Sequence, residues 1–349
     1  MRVLILLRDA APNGITTYNR VLARALREEG HDVLVWPDLD TSPSFWAGAL
    51  QGLWLRPAFE RLLRPVVERF APDVVYVSHF TQACLAQRLQ NTLGVPWVAC
   101  MHNGHSPARM AQWAQLVRHA RGLVTMCETL HVVYAPMVQA APCIPQLLSR
   151  LPLAVPTAPL ATRASARRVL TYCARLSSQK GPRCEAWLRA IASQPDLRAC
   201  DIRVIGGGRY LARLRQVAAE LGLEVDFVGM VSDPTPYLDR THVIAGAGYA
   251  LMEGLVRGGV GIGLGFGGCW GVVTPQRWDE ALAVNFGDHC PYPLPDDPDT
   301  IAQALSEALA MVGSADAVAV TARCRAVFDP APIARDLVDF WGKALRPAA

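Results

Sequence analysis

The chain has 349 residues, is 51% hydrophobic and 18% charged, and carries a formal net charge of +4. This length suits two ordinary domains, and the apolar content supplies two cores, which excludes a disordered chain. The longest apolar run, 260–273, is too short for a membrane span and is repeatedly broken by glycine.

The opening run Met1-Arg2-Val3-Leu4-Ile5-Leu6-Leu7-Arg8 reads as a first buried strand over 3–7. It is too short for the apolar part of a secretion signal, and no small-residue cleavage site follows. A loop over 9–14 leads to a helix over 17–29, with Gly30 as its C-cap. The second strand is 31–36. Later strands are expected at 74–77, 97–100 and 123–126, each after a helical stretch, which is the pattern of a doubly wound parallel sheet. Five prolines between 142 and 159 make 141–168 a linker. Alternation then restarts, with strands expected at 169–173, 202–205, 225–228, 242–245 and 260–264, and closing helices at 299–312 and 331–345. The expectation is α/β: two Rossmann-like domains, 1–155 and 156–330, facing a cleft. A terminal segment, 331–349, follows.

Ten cysteines lack CxxC or metal-ligand spacing and read as reduced core residues of a cytoplasmic protein. The excess positive charge lies in residues 1–150, where 14 arginines face 10 acidic residues. That mild bias suits an anionic acceptor or an anionic lipid surface and argues against nucleic acid. A helix with Trp46, Trp54, Leu55, Phe59, Leu62 and Leu63 among arginines could touch such a surface, although packing on its own domain is the favoured reading. Asp38-Leu39-Asp40 resembles a metal-binding DxD but reads as a solvated turn. Asp296-Asp297-Pro298-Asp299 reads as a helix N-cap run.

The chain has 32 arginines and only two lysines, Lys180 and Lys343. A lysine is a compact charge where arginine is a fork, so its use just after a buried strand is informative. In Ala174-Arg175-Leu176-Ser177-Ser178-Gln179-Lys180-Gly181, Arg175 and Lys180 share one strand-to-helix loop at a carboxyl sheet edge. Two cations beside a helix start suit a diphosphate.

From this loop onward the chain resembles the GT-B glycosyltransferases, specifically the retaining family 4 group. The loop is similar to that group's GRLxxxKG. Val204-Ile205-Gly206-Gly207-Gly208, Phe227-Val228-Gly229-Met230-Val231 with Tyr237-Leu238, and Ala250-Leu251-Met252-Glu253-Gly254 follow in the group's order. In the first half, Asn13-Gly14-Ile15-Thr16-Thr17-Tyr18, Gly30-His31-Asp32-Val33, Pro72-Asp73-Val74-Val75 and Val98-Ala99-Cys100-Met101-His102-Asn103-Gly104 are similar to its N-domain elements.

The resemblance implies a metal-independent transferase that moves a hexose or pentose from a nucleotide-diphosphate sugar, UDP- or GDP-linked, to a hydroxyl of a glycan, glycolipid or small molecule. No cofactor is implied. Arg175 and Lys180 would stabilise the leaving diphosphate, and Glu253 would take the ribose hydroxyls. Backbone near Met230 and Val231 would hold the base. Gly207, Tyr249, Ala250 and Leu251 would line the donor site. Gly14 would allow close approach, and His102 would meet the sugar, with His105 the second choice. The terminal helix would cross back to the first domain. The group's first glutamate would fall at Ala245, which leaves the sugar open and keeps alive a weakly active donor-binding protein. A GT-B sugar epimerase is a further alternative, while no cofactor-lysine motif favours a phosphorylase. The stretch 265–287, with Asn285-Phe286-Gly287, reads as a loop beside the donor site. Location would be cytoplasmic, with peripheral membrane contact as an option.

Overall fold

The computed structural model describes residues 1–8, 13–37, 57–139, 147–157, 159–160 and 167–346. It divides into two compact units. Unit 1 is Met1–Ala154 with Asp329–Ala349, and unit 2 is Val155–Phe328.

Unit 1 contains β1 (Arg2–Leu6), α1 (Gly14–Glu28), β2 (Asp32–Trp36), α2 (Pro57–Phe70), β3 (Val74–Val77), α3 (Phe80–Leu93), β4 (Trp97–Met101), α4 (Pro107–Val117), β5 (Gly122–Thr125), α5 (Glu128–Gln139) and β6 (Leu147–Arg150). Its six strands are all parallel and ordered β2-β1-β3-β4-β5-β6. The central strands β3, β4 and β5 are buried at every residue, as expected where helices cover both faces. Asn13 caps α1 by accepting from the N–H groups of Ile15 and Thr16, both at 3.1 Å.

Unit 2 contains β7 (Val169–Cys173), α6 (Gly181–Ser193), α7 (Pro195–Arg198), β8 (Asp201–Ile205), α8 (Leu211–Glu220), β9 (Val225–Gly229), α9 (Thr235–Leu238), β10 (Val243–Gly246), α10 (Tyr249–Leu255), β11 (Val260–Gly265), β12 (Gly268–Val272), α11 (Trp278–Ala283), α12 (Pro298–Met311) and α13 (Ala315–Val327). The strand order is β12-β11-β10-β7-β8-β9. The core gathers Leu170, Tyr172, Trp187, Ile202, Leu264 and Leu305 between sheet and helices.

The last helix, α14 (Pro330–Ala344), belongs to unit 1. Trp341 meets Tyr76 edge-on at 5.3 Å, and Arg335 pairs with Glu29 at 2.6 Å. Asp297 caps α12 by accepting from Thr300 N–H.

Three elements differ from the sequence expectation. The stretch 141–168 contains strand β6, which adds a sixth parallel partner at the edge of sheet one. Strand β12 runs antiparallel to β11, with a register shift at Gly263/Leu264. Helix α13 fills the gap between the two expected closing helices and is capped by Ser314. Residues 38–40 and 46–56, which include the DxD-like turn and much of the Trp-rich segment, lie outside the described residues. Among the described residues no single helix is long and apolar enough to cross a membrane.

Candidate functional site

In unit 2 the strand order reverses direction between β7 and β10. Open α/β sheets bind ligands above such a switch point, outside the carboxyl ends of the strands. Four loops converge there.

The loop after β7 folds tightly. Ser177 Oγ lies 3.3 Å from the backbone N–H donors of both Gln179 and Lys180, and Ser177 O accepts from Gly181 N–H at 2.8 Å. Tyr172 Oη donates to Lys180 O at 2.9 Å, fixing the turn into α6. The Lys180 ammonium is half-buried, 3.0 Å from Asp288 Oδ1 and 4.4 Å above the Phe266 ring. Arg175 is exposed, and no described residue pairs with its guanidinium.

The glycine turn after β8 is pressed against this loop. Leu176 N–H donates to Gly207 O at 2.9 Å. A Cβ on Gly206 would lie 1.9 Å from Ala174 O, and one on Gly208 would lie 2.4 Å from Leu176 O. Both glycines have strongly positive φ, +139° and +145°, which side chains avoid. Gly207 faces Met230, whose Cβ would be 3.2 Å from an added methyl. Met230 is exposed, an uncommon state for a large apolar side chain, and Val231 is half-buried.

The loop after β10 leads to α10. Gly248, at φ +58° and ψ −138°, opens that helix in a conformation reserved for glycine. Tyr249 is buried and Ala250 half-buried, whereas Leu251 is fully buried and its N–H is taken by Gly248 O at 3.1 Å. Burial pushes the Glu253 carboxyl up to about 8. Arg257 pulls it down and Asp233 adds to the rise. Arg257 itself is held by Asp239 at 3.0 Å and Thr235 at 2.9 Å. Burial pushes the Cys173 thiol, at the end of β7, up to about 12, and Glu253 adds to it. Ala245 is fully buried within β10 and belongs to the core cluster.

In unit 1 the strand order reverses between β1 and β3. His102, just past β4, is 5% exposed. Its Nε2 is 3.2 Å from Ser78 Oγ, and Tyr18 packs edge-on at 5.3 Å. Ser78 Oγ also accepts from Asn19 Nδ2 at 3.2 Å. Gly14 opens α1 on the exposed side. His105 stacks at 6.2 Å on Trp113, and burial, then Arg109, pulls its imidazole below the usual value.

The structure therefore gathers Lys180, Gly207, Met230, Val231, Tyr249, Ala250 and Glu253 at one sheet edge of unit 2, with Arg175 on the same loop as Lys180. Gly14 and His102 lie in unit 1. Sequence reasoning missed Asp288, which is 108 residues from Lys180, and the Ser78–Asn19 support of His102. Among the described residues no group of three or more His, Cys, Asp or Glu side chains is placed to hold a metal ion.

This double Rossmann-like architecture, with a crossing terminal helix, is the GT-B fold. Residues 13–142 match the family described as glycosyl transferase 4-like domain. Across almost the whole chain, the structure is similar to sucrose-phosphate synthase from Thermosynechococcus elongatus, at 14% identity, covering 98% of each chain with a TM-score of 0.72. It is also similar to Anabaena HepE in complex with UDP-glucose, at 16% identity, covering 98% of this chain and 100% of that one, with a TM-score of 0.71. A glycosyltransferase from Rickettsia africae gives 14% identity, 99% coverage of both chains and a TM-score of 0.69. No curated protein sequence matches the chain.

Proposed function

We propose that this protein transfers a sugar from a nucleotide-diphosphate sugar to a hydroxyl acceptor, with retention of configuration and without a metal ion. The observation that carries this reading is the meeting, above one switch point, of Lys180, a glycine turn that only bare backbone can form, and the half-buried Glu253. The glycosyl transferase 4-like domain and the GT-B fold support glycosyl transfer as the class of reaction.

In this reading Arg175 and Lys180 stabilise the charge that builds on the departing diphosphate, which is where fixed cations help a transition state most. The leaving phosphate takes the proton of the incoming hydroxyl on the same face. Glu253 holds the ribose hydroxyls; a carboxyl with a pKa of about 8 can both donate and accept near neutral pH. Backbone at Met230 and Val231 holds the base, and His102 serves the sugar. The UDP-glucose bound by HepE makes that compound the first donor to try, with GDP-sugars next. Glycans, glycolipids and small molecules are the acceptor classes, and a cytoplasmic site of action is proposed with them.

A second reading, a donor-binding protein without turnover, draws on Ala245, which leaves the strand end without an acidic side chain. Calorimetric binding of UDP, GDP, ADP and CMP to the wild type and to Lys180→Ala tests the shared basis of both readings. Tight binding of one diphosphate, lost in the variant, is expected. Equal binding by both proteins would remove the phosphate-site assignment. Release of free diphosphate from the matching nucleotide sugar, with acceptor present, separates transferase from donor binder.

A further inference from the structure

The turn joining α11 to the segment before α12 has an unusual backbone. Asn285, Phe286 and Gly287 have φ of +52°, +56° and +87°, three left-handed residues in succession. Asparagine and glycine tolerate this region; phenylalanine does not. The Phe286 ring is fully buried, 6.0 Å from both Trp278 and Phe328, and this packing holds the turn. Strain of this kind persists where the surrounding structure over-determines it, and it clusters at ligand sites.

The turn brings a buried amide oxygen without a hydrogen-bond donor, beside an ion-paired carboxylate, to the switch point. Asn285 is 3% exposed, and its Oδ1 is buried without a partner. The Asp288 carboxylate beside it is engaged by the Lys180 ammonium, 3.0 Å from Oδ1 and 3.3 Å from Oδ2. Both side chains face Gly248. A Cβ there would meet Asp288 Oδ2 at 3.0 Å and Asn285 Nδ2 at 3.1 Å. Buried acceptors without donors are costly and mark sites that a ligand completes.

We propose that the 285–288 turn is the sugar-recognition wall of the donor site, with the Oδ1 atoms of Asn285 and Asp288 accepting hydrogen bonds from hydroxyls of the donated sugar. This rests on the reading of unit 2 as a nucleotide-sugar site. Asn285 Oδ1 is an open acceptor and the ion-paired Asp288 Oδ1 keeps a further lone pair, so their ligand must bring O–H or N–H donors. A phosphate oxygen brings none, whereas a polyol beside the diphosphate brings several. The carboxylate absent at Ala245 is thereby supplied from a different loop. Asp288 also sets the position of the Lys180 ammonium, so it couples the sugar wall to the phosphate cation.

The test is the ratio of two dissociation constants, measured by calorimetry on the full chain: UDP-glucose over UDP, and GDP-mannose over GDP. Asn285→Gly removes the amide and keeps a residue suited to positive φ. Asn285→Asp keeps an acceptor oxygen. For the pair that wild type binds, Asn285→Gly should raise the ratio by about 5-fold or more, with the diphosphate itself held within about 2-fold. Asn285→Asp should restore most of that loss. If Asn285→Gly does not fold, Asn285→Ala carries the same ratio test. An unchanged ratio, or equal weakening of both ligands, overturns the proposal while leaving the nucleotide site intact. Failure of wild type to bind any of the four compounds, and ADP and CMP as well, removes the nucleotide-sugar reading and this inference together, and that result is recognisable before any variant is made.

Discussion

Both units are six-stranded sheets whose strand order reverses, all parallel in unit 1 and with one antiparallel edge strand in unit 2, and they put different chemistry at their switch points. In unit 1 the cluster is a histidine among hydroxyl, amide and phenol groups. His102, Ser78, Asn19 and Tyr18 form a closely packed, hydrogen-bonded group around β3, β4 and α1. In unit 2 the corresponding region holds an ion pair, a carboxyl pushed up to about 8 and glycines that bring backbone into close contact. The sheet order determines where loops meet, and the loop residues decide whether the meeting point attracts an anion or orients a neutral group.

The comparison can be broken most severely at Gly206. Gly206→Ala drives a methyl to 1.9 Å from Ala174 O at a φ of +139°, so a loss on the order of 4 kcal/mol is expected, read from urea unfolding. A stability within experimental error of wild type would mean that the turn is softer than its geometry implies. Next comes Lys180→Ala. Removing a charged donor should weaken diphosphate binding by about 10- to 100-fold, and raising salt should narrow the difference only partly, because the site is half-buried.

Glu253 offers a pH test. Its folded carboxyl titrates near 8 against an ordinary value of 4.5. Between those values the folded protein holds a proton that the unfolded chain has released, so stability from this group is full below about 4.5 and is lost as pH rises through about 8. Urea midpoints at pH 5 and pH 8 should therefore converge in Glu253→Gln relative to wild type. An unaltered slope would show that the carboxyl is ionised in the fold. The smallest expected effect is at Ser78. Ser78→Ala should cost about 1 kcal/mol of stability and leave diphosphate affinity within about 2-fold, since the His102 cluster lies in the other unit.

Strands β3 and β7 were legible to the residue, because fully buried parallel strands write continuous apolar runs. Strand β12 was not. Its GCWGV run carries two glycines, and Gly268 and Gly271 adopt φ of +129° and +105°, so neither periodicity nor propensity marks it. Strand β6 hid behind Pro142 and Pro145, which announce a linker more loudly than four residues announce an edge strand. Helix α13 did have a signal, Gly313-Ser314 before an alanine-rich stretch, that a stricter search for caps would have found. At the site, Lys180 stood out through composition and Glu253 through resemblance. Asp288 carried no local mark. Its meaning comes from a chain reversal that places it against a lysine 108 positions earlier, and such pairings are written in tertiary packing alone.

One consequence concerns biosynthesis. Unit 1 is closed by α14, whose Trp341 lies against Tyr76 and whose Phe340 ring would be 2.7 Å from a Cβ on Gly122. Because α14 follows unit 2 in the chain, the seal of unit 1 is made only after unit 2 has been synthesised. The Tyr76 face therefore stays uncovered throughout the synthesis of unit 2, and unit 1 cannot close in the usual first-out, first-folded order of multidomain chains. A stop codon near position 329 would thus damage the opposite end of the polypeptide, leaving a nascent domain for chaperones to shield.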